Sequence, residues 1–495
     1  MVLWINSIGF AQNIESTYRN PVIPGDFPDP TGIRVNENYY TAGTSSDYAP
    51  NYPIYHSVDL INWNRIGSIF NTPPEWIKGD CWAPELTHHN GRFFVYYTAR
   101  RKSDGVSCIG VASTNDITQT FEDHGIIIEW GKEAIDAFVF QDDDGKRYIL
   151  WKAYGLDNRP IEILCSELSD DGLSLRGQAF SLTDPKKGWT GRGDEGPCLI
   201  KHKEFYYLFY SVGGCCDREC DYHVFVARSK SLKGDWEQYD KNPILQGGGL
   251  WKCPGHGTIV VTPENRFFYL YHAYHSYDFE FIGRQGLLDE LLWDEKGGWP
   301  FFRFGDIPSV QAETPFKNTV QKQNTRFFDN FRSNEKELFW SVDMKLTGCL
   351  ADSCFQVRVI QPVSGNYKIE TAIEIPEDTN LKGLLLYGDS SNYIVWGIEN
   401  QHLKLYQCTK GKRSETFSKY LNAYEIYFRI ESINARFFQF HWSEDRENWY
   451  SALHFDQVLN GKWLPQWGKG LRAGLFVENQ SDDMGIFSYF LMENH

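Results

Sequence analysis

Residues 90–98, NGRFFVYYT, combine an Asn-Gly turn with a run of aromatic and apolar residues. Asn-Gly is a strong signal for a tight hairpin, and rows of Phe, Tyr and Val favour strands over helices. The same order of turn, paired aromatics and strand recurs along the chain. The five copies are NENYYTAGT (36–44), NGRFFVYYT (90–98), DGKRYILWK (144–152), KEFYYLFYS (203–211) and ENRFFYLYH (264–272).

The spacing of these copies predicts the fold class. Aligned on one aromatic residue in each copy, the anchors are Tyr40, Phe94, Tyr148, Tyr207 and Tyr269. Their separations are 54, 54, 59 and 62 residues. Near-equal units of this length indicate five four-stranded blades of a β-propeller, which surround a central channel. A β-sandwich with coincidental hairpins is the alternative, and the even spacing favours the all-β propeller.

Upstream of each anchor lies a residue able to do chemistry. These residues, nine to thirteen positions before the anchors, are Asp29, Glu85, Asp136, Glu195 and His256. Each falls where a blade begins its innermost strand. Innermost strands line the propeller axis, so residues far apart in sequence are expected to converge there. Three carboxylates, Asp29, Asp136 and Glu195, are the candidate catalytic set.

The first of these carboxylates lies in GDFPDP, residues 25–30. Proline disfavours helical geometry in the residue before it, so Asp29 is expected in extended or turn geometry with its side chain in a set direction. Asp26 has no counterpart in the other copies. It is interpreted as a turn residue.

Two carboxyl groups supply the chemistry for cleaving a glycosidic bond. One donates a proton to the leaving oxygen and the other activates water, and a separation of roughly 6.5–9.5 Å leaves room for that water and inverts the anomeric centre. A third carboxylate is expected to raise the pKa of the acid by like-charge repulsion and keep it protonated near neutral pH.

Composition excludes several classes of partner. The chain has 495 residues, a formal charge of −16 and no block of Lys or Arg, which argues against nucleic acid and anionic membranes. No apolar run reaches the length of about 18 residues that a membrane span needs. Aromatic residues make up 16% of the chain, and aromatic faces stack on sugar rings. A neutral carbohydrate fits these properties.

The motifs GDFPDP, WAPEL, IDAFVFQDDDGK, DEGP and GHG, in this order over about residues 20–305, resemble glycoside hydrolase family 43. Members are inverting enzymes that act on arabinose- and xylose-containing polysaccharides. The resemblance implies that Asp29 is the base, that Asp136 tunes the acid's pKa and that Glu195 is the general acid.

The resemblance also implies substrate-binding residues. Trp82 corresponds to an aromatic platform, with core packing as the alternative, and Tyr48 to an aromatic wall. Arg284 corresponds to an arginine that reaches the sugar pocket. His256 corresponds to a histidine near a water-coordinated Ca²⁺ or near the acid, with a satisfied polar residue as the alternative; no cofactor is otherwise required and no metal ligand is assigned. Glu85 is interpreted as a structural hydrogen-bonding partner.

One departure from the family pattern is GGCCDREC, residues 213–220, where many relatives have Gly-Gly and an aromatic residue. This loop is expected to border the pocket, so substrate preference does not carry over. Its cysteines are interpreted as free thiols in preference to a loop disulfide. A metal site with His223 ranks last, because the spacing matches no common zinc motif. Cys349 and Cys354 could also close a small loop.

The domain organisation follows from where the repeat stops. Residues 1–18 are interpreted as a signal-peptide remnant or N-terminal tail, so a periplasmic or secreted location is expected. Residues 19–305 form the catalytic propeller, 306–326 a linker, and 327–495 a β-sandwich of short alternating strands. The last resembles the concanavalin-like jelly roll of many family members, which buttresses the pocket or binds glycan; the buttress is preferred.

Together these features predict an exo-acting inverting glycosidase that removes terminal pentoses from plant cell-wall polysaccharide or oligosaccharide. α-L-Arabinofuranosidase is preferred, with β-D-xylosidase and exo-galactosidase as alternatives. A carbohydrate-binding propeller without catalysis is the alternative from another class. The intact set of Asp29, Asp136 and Glu195 argues against it.

Overall fold

A computed structural model describes residues 16–495 except 188, 190–192, 278, 324, 333–338, 347–354, 376–378, 455–456 and 479–485. Most of the predicted N-terminal tail and the Cys349–Cys354 loop therefore lie outside the described residues. The described part is built from strands, with one short helix, α1 (Phe279–Ile282), and 3-10 turns at Pro185–Lys187 and Met344–Leu346. No helix within it is long and apolar enough to cross a membrane.

Five four-stranded antiparallel sheets follow one another along the chain, which confirms the predicted β-propeller. After β1 (Thr17–Arg19), blade one has β2 (Thr31–Val35), β3 (Asn38–Ala42), β5 (Asn51–Ser57) and β6 (Asn64–Phe70), with β4 (Tyr48–Ala49) between β3 and β5. Blade two has β7 (Ile77–His89), β8 (Arg92–Arg101), β9 (Ser107–Thr114) and β10 (Glu122–Ile128). Blade three has β11 (Ala134–Gln141), β12 (Arg147–Ala153), β13 (Glu162–Leu168) and β14 (Leu175–Ser181). Blade four has β15 (Glu195–His202), β16 (Phe205–Val212), β17 (His223–Ser229) and β18 (Glu237–Gln238), and blade five has β19 (Trp251–Val261), β20 (Phe267–His275), β21 (Arg284–Trp293) and β22 (Pro300–Phe302).

The repeated motif is the second strand of each blade. All five aromatic anchors lie in β3, β8, β12, β16 and β20. The first strands, β2, β7, β11, β15 and β19, contact one another in a closed ring, so they line the axis. Glu85, Asp136, Glu195 and His256 lie on these first strands, and Asp29 lies two residues before β2.

The first strands carry an irregularity beside each candidate residue. In blades two to five, the pairing with the second strand shifts register at this point. The backbone there has a positive φ, 38° at Ala83, 59° at Asp136, 55° at Gly196 and 41° at His256. Such bulges re-aim side chains and are common beside active sites. Asp29 has a φ of 53°, so it lies in a left-handed bend and not in extended backbone.

A small sheet joins the two ends of the propeller. Strand β1 pairs antiparallel with β23 (Gln311–Glu313), from Thr17 opposite Glu313 to Arg19 opposite Gln311. The side-chain amide of Asn20 also donates to the carbonyl of Leu288, at 3.0 Å. Residues 306–326, predicted as a linker, thus contain strand β23, which joins the end of the propeller to its beginning.

The remaining strands form two antiparallel sheets around a shared apolar core, as in a β-sandwich. The first sheet contains β24 (Arg326–Asp329), β27 (Tyr367–Glu374), β32 (Glu425–Ile433), β33 (Phe437–Ser443), β34 (Tyr450–Ser451), β35 (Leu459–Asn460) and β37 (Phe487–Asn494). The second contains β26 (Phe355–Ile360), β28 (Lys382–Asp389), β29 (Asn392–Glu399), β30 (His402–Thr409), β31 (Lys412–Tyr420) and β36 (Arg472–Glu478). Trp396 and Phe428 meet edge to face across the two sheets, with ring centroids 5.4 Å apart.

The sandwich packs directly against blade one. Strand β4 pairs with β25 (Val342–Asp343), and this pairing carries Tyr48 into an apolar cluster with Val359 and Leu385 of the sandwich. Tyr48 is buried there under the guanidinium of Arg472. The predicted aromatic wall at Tyr48 is therefore wrong, because this side chain belongs to the contact between the two sheet systems.

Asp26 is also more than a turn residue. Its carboxylate is buried and accepts hydrogen bonds from the backbone amides of Arg284, at 3.2 Å, and Gly470, at 3.1 Å. The guanidinium of Arg472 lies 3.5 Å away. The loop that carries Asp29 is thus attached to blade five and to the sandwich by Asp26.

Candidate active site

A cavity of about 660 Å³ lies where the first strands converge. Of the residues predicted for the site, those that line it are Asp29, Trp82, Asp136, Glu195, His256 and Arg284. They come from five different blades, and Tyr48 is the one predicted residue that the fold does not bring to this cavity. A concave site with a few convergent charged groups and an aromatic wall is typical of small-molecule binding.

Asp29 is an ionised carboxylate held from both oxygens. Arg284 Nη1 donates to Oδ1 at 2.9 Å, and the Thr44 hydroxyl donates to Oδ2 at 2.6 Å. His256 Nδ1 lies 3.4 Å from Oδ1. Burial acts to raise the pKa of Asp29, but the nearby Arg284 guanidinium, with His256 and His272, outweighs it and holds the pKa well below its usual range.

His272 is a site residue that sequence reasoning missed. Its Nδ1 lies 3.1 Å from the backbone amide nitrogen of Asp29 and 3.2 Å from the Asp29 carboxylate Oδ1. Burial lowers the pKa of His272 to about 4. His272 is therefore a neutral support that fixes the backbone of Asp29.

Asp136 and Glu195 form a coupled pair of carboxyl groups. Asp136 Oδ2 accepts from the backbone amide of Gly196, the residue after Glu195, at 3.1 Å. Burial raises the pKa of Asp136 to about 6; His256 opposes this shift and the Glu195 carboxylate adds to it. A carboxyl group that keeps its proton up to about pH 6, beside an ionised Asp29, is an arrangement suited to acid–base chemistry.

The expected rise in the pKa of Glu195 is wrong. Lys152 Nζ donates to Glu195 Oε2 at 2.7 Å, and the Tyr222 hydroxyl donates to Oε1 at 2.8 Å. Burial acts to raise the pKa of Glu195, but Lys152 and the bond from Tyr222 lower it below its usual value. Burial, and to a smaller extent repulsion from Glu195, raises the pKa of Asp136, whereas Glu195 has the Lys152 ammonium in direct contact.

A repeated signal could have identified Lys152 and its counterparts. The end of each second strand supplies a polar side chain that holds the first strand of the next blade. The pairs are Thr44 with the Ala83 amide at 2.8 Å, Thr98 with the Asp136 amide at 3.1 Å, Lys152 with the Glu195 carboxylate at 2.7 Å, Ser211 with the His256 amide at 2.8 Å, and His272 with the Asp29 amide at 3.1 Å. The first four supporting residues stand four positions after the aromatic anchors. This register is polar in the first four copies, and in the fifth the polar residue, His272, stands three positions after its anchor; the pattern is visible in the sequence.

Glu85 lies beside the axis as a structural residue. Its carboxylate accepts from the Thr31 hydroxyl at 2.7 Å and from the Val139 amide at 3.1 Å, which joins blades one, two and three. Burial raises the pKa of Glu85 to about 8. These contacts agree with its interpretation as a hydrogen-bonding partner.

The prediction of a Ca²⁺ near His256 concerns the side chains that surround this histidine. No group of three or more His, Cys, Asp or Glu side chains in the described part of the chain could hold a metal ion. His256 Nδ1 instead faces Asp29 Oδ1 at 3.4 Å and Asp136 Oδ2 at 3.8 Å. A Ca²⁺ held near His256 through water therefore stays a prediction, and no chemical step is assigned to it.

The fourth-blade loop borders the cavity, and its cysteines are paired. Cys215 forms a disulfide with Cys216, its neighbour in sequence, and Cys220 forms one with Cys253 on β19. The preference for free thiols in this cluster was wrong, because the partner of Cys220 lies 33 residues away and the spacing gave no signal for it. Cys215 and Cys216 both line the cavity.

The sandwich completes the cavity wall. Asp389 and the segment from Gln466 to Lys469 line it from this side. Lys469 forms an ion pair with Asp47 of blade one. The wall thus includes residues of both the propeller and the sandwich, and the ion pair connects the two.

Comparisons with known proteins agree with this architecture. Residues 18–300 match the family described as "Glycosyl hydrolases family 43". The chain is 25% identical to a xylan 1,3-β-xylosidase of Vibrio sp, over 96% of this chain and 99% of that protein. It is 26% identical to a non-reducing end α-L-arabinofuranosidase of Bacteroides ovatus, over 69% of this chain and 66% of that protein. The crystal structure of a xylan β-1,4-xylosidase from Bacillus halodurans superposes with a TM-score of 0.81 at 20% identity, over 96% of this chain and all of that one, a likeness of fold.

Proposed function

The chain belongs to glycosyl hydrolase family 43, and we propose that it is an exo-acting, inverting glycosidase that removes terminal pentoses from plant polysaccharide or oligosaccharide. The observation that carries this proposal is the convergence of Asp29, Asp136 and Glu195, from three blades, on one cavity. Asp29 is held ionised, and Asp136 and Glu195 form a pair that can hold a proton. The names of the relatives, xylosidases and arabinofuranosidases, support a pentose as the sugar released.

In the proposed mechanism Asp29 activates water. Its two oxygens are fixed by Arg284 and Thr44, and its low pKa keeps it ionised throughout the working pH range. A fixed carboxylate orients the water for attack on the face of the sugar opposite the leaving group, which inverts the anomeric centre.

Glu195 is the proposed general acid, which protonates the departing glycosidic oxygen. Asp136 is the positioning residue, since its carboxylate binds the backbone amide directly after Glu195. Lys152 stabilises the ionised form of Glu195 and so lowers its pKa. Glu195 therefore loses its proton at a lower pH than an ordinary glutamic acid, and the fraction of enzyme that carries this proton falls as the pH rises. Hydrolysis of poor leaving groups should therefore be fastest on the acid side of neutrality.

The proposed sugar contacts are Trp82, His256 and Arg284. The ring of Trp82 is half-buried in the cavity wall, with the guanidinium of Arg100 at 5.7 Å from its centroid. A fixed aromatic face next to charged donors suits a small polyhydroxylated ring, with its apolar face on Trp82 and its hydroxyls toward His256 and Arg284.

We propose α-L-arabinofuranosides as the preferred substrates, and β-D-xylosides as the second candidate because a xylosidase relative covers nearly the whole chain. Purified enzyme should release p-nitrophenol from p-nitrophenyl α-L-arabinofuranoside with a kcat/KM about tenfold or more above that for the β-D-xyloside. A higher kcat/KM for the β-D-xyloside would identify a xylosidase. A higher kcat/KM for the corresponding p-nitrophenyl galactoside would identify an exo-galactosidase. No release from any of them, with sugar binding retained, would favour the non-catalytic propeller.

Lys152→Met is expected to move the basic limb of the pH profile to higher pH. Removing the cation raises the pKa of Glu195, so the acid keeps its proton further into the alkaline range. The measurement is kcat/KM against pH on an unactivated oligosaccharide. Lys152→Arg keeps the charge and should keep the limb near the wild-type position. If the basic limb of the Lys152→Met profile stays at the wild-type pH, the pairing of Lys152 with Glu195 is contradicted.

We also propose an oxidising compartment for the protein, periplasmic or extracellular. The fourth-blade loop carries two disulfides, one of which, Cys215–Cys216, lines the cavity, and stable disulfides are rare in the reducing cytosol. A localisation experiment with the native gene product in fractionated cells tests this; recovery in the cytosolic fraction would contradict it.

A further inference from the structure

A second depression adjoins the catalytic cavity on its sandwich side. It has a volume of about 320 Å³ and is lined by Arg218, Glu219, Tyr274 and Glu280, among others. The two spaces share the wall formed by Cys216 and the segment from Gln466 to Lys469. A ligand that fills the cavity can therefore continue into the depression across this shared wall.

Trp467 is the prominent residue of the shared wall. It lines both spaces, and 63% of its surface is exposed, which is unusual for the largest apolar side chain. An exposed Trp between two concave surfaces offers an aromatic face to a ring that passes from one to the other.

The wall is held in place before any ligand binds. The backbone amide of Gly468 donates to the carbonyl of Cys216 at 3.1 Å, so the loop with Trp467 is attached to the fourth-blade loop. The disulfides Cys215–Cys216 and Cys220–Cys253 restrict that loop. A restrained wall loses little conformational entropy when a chain binds across it.

The charges of the depression favour a neutral ligand with hydroxyl groups. Arg218 forms an ion pair with Glu280, and both side chains are partly exposed, at 41% and 23%. Asp217 and Glu219 add further carboxylates to the lining, and its other cation, Lys469, is paired with Asp47. Paired charges present donors and acceptors for hydroxyls, while the extra carboxylates disfavour acidic sugars.

We propose that this depression is a binding site for the neutral sugar units next to the leaving group, and that Trp467 stacks on the chain as it leaves the catalytic cavity. This inference rests on the proposed function and adds the part of the substrate that is recognised beyond the bond cleaved. It implies that the preferred substrates are oligosaccharides and chain ends that carry at least two sugar units behind the terminal pentose. Binding energy from these remote units can be used to raise kcat/KM.

The test compares kcat/KM for neutral linear pentose oligosaccharides of two, three and four units with that for the p-nitrophenyl pentoside. For the wild type we expect kcat/KM to rise several-fold from the disaccharide to the trisaccharide. Trp467→Ala and, independently, Arg218→Ala should lower the ratio of trisaccharide to aryl-glycoside kcat/KM, by about tenfold for Trp467→Ala. Tyr424→Ala is the matched control, because Tyr424 is an exposed aromatic residue of the same sandwich and lies outside both spaces. The ratio of trisaccharide to aryl-glycoside kcat/KM for this variant should equal that of the wild type.

Each outcome decides the proposal. No rise with chain length in the wild type, or an unchanged ratio in Arg218→Ala, overturns the depression as a sugar site even if Trp467→Ala is impaired, because Trp467 also lines the cavity. Failure of the proposed function looks different, since the wild type would then cleave neither the aryl pentosides nor the oligosaccharides. Arg218 is partly exposed, so its variant provides a test even if Trp467→Ala folds poorly.

Discussion

Glu195→Gln is expected to lower kcat/KM for an unactivated pentose disaccharide by about 10³-fold, and that for the p-nitrophenyl pentoside by about tenfold or less. The amide keeps the size of the side chain but cannot deliver a proton. A sugar leaving group needs that proton, whereas p-nitrophenolate departs without it. The unequal losses are therefore the signature of a general acid.

The pH dependence gives a second readout for Glu195. If deprotonation of Glu195 produces the basic limb, that limb should be absent in Glu195→Gln. Asp194→Asn is the matched control, a buried carboxyl directly before Glu195 in the chain, and it should leave the ratio of the two substrates unchanged. Equal losses of Glu195→Gln on both substrates would contradict its role as the acid.

Asp29→Asn is expected to lower kcat/KM by about 10³-fold on both substrates alike, because water must be activated whatever group leaves. The substitution also leaves the buried Arg284 guanidinium without its anionic partner, so a lower unfolding temperature is expected. Since the pKa of Asp29 lies well below its usual range, the acidic limb of the wild-type profile should not arise from Asp29.

Asp26→Asn separates the chemical from the structural part of this loss. Asp26 lies on the same loop and is also buried, but its partners are Gly470 and the backbone of Arg284. Its variant should unfold at a lower temperature and, at temperatures where it is folded, retain most of its activity. Equal inactivation of the two variants would indicate that Asp29 acts through the loop's structure.

The five blades were predictable because the repeat is local. Each copy is a hairpin strand of about nine residues, and turn chemistry together with aromatic alternation is sufficient to identify it. The convergence of Asp29, Asp136 and Glu195 followed from their common register upstream of the anchors. The bulges that aim these residues did not follow, because a positive φ at Asp136 or His256 is set by the neighbouring blade and not by the residue type.

Long-range contacts explain the wrong interpretations. Tyr48 was assigned to the pocket from the family resemblance, yet its partners, Val359 and Leu385, lie in the sandwich. The pKa of Glu195 was misjudged because only the like-charged carboxylates were considered and not the Lys152 ammonium, although the repeated register of supporting residues could have identified Lys152. Both errors concern contacts between segments that are far apart in the chain.

The attachment of Asp26 to Gly470 and Arg472 has a consequence for how the protein is made. Gly470 and Arg472 lie 444 and 446 residues after Asp26 in the chain. At translation rates of about 5–20 residues per second, the anchor of the Asp29 loop is synthesised about 20–90 s after the loop itself. All five blades can leave the ribosome before the sandwich partners of Asp26 exist. A nascent or truncated chain should therefore contain the propeller, with the loop held by blade five alone, but without a finished site. The cell thus acquires the hydrolytic activity only when the last part of the polypeptide has been made.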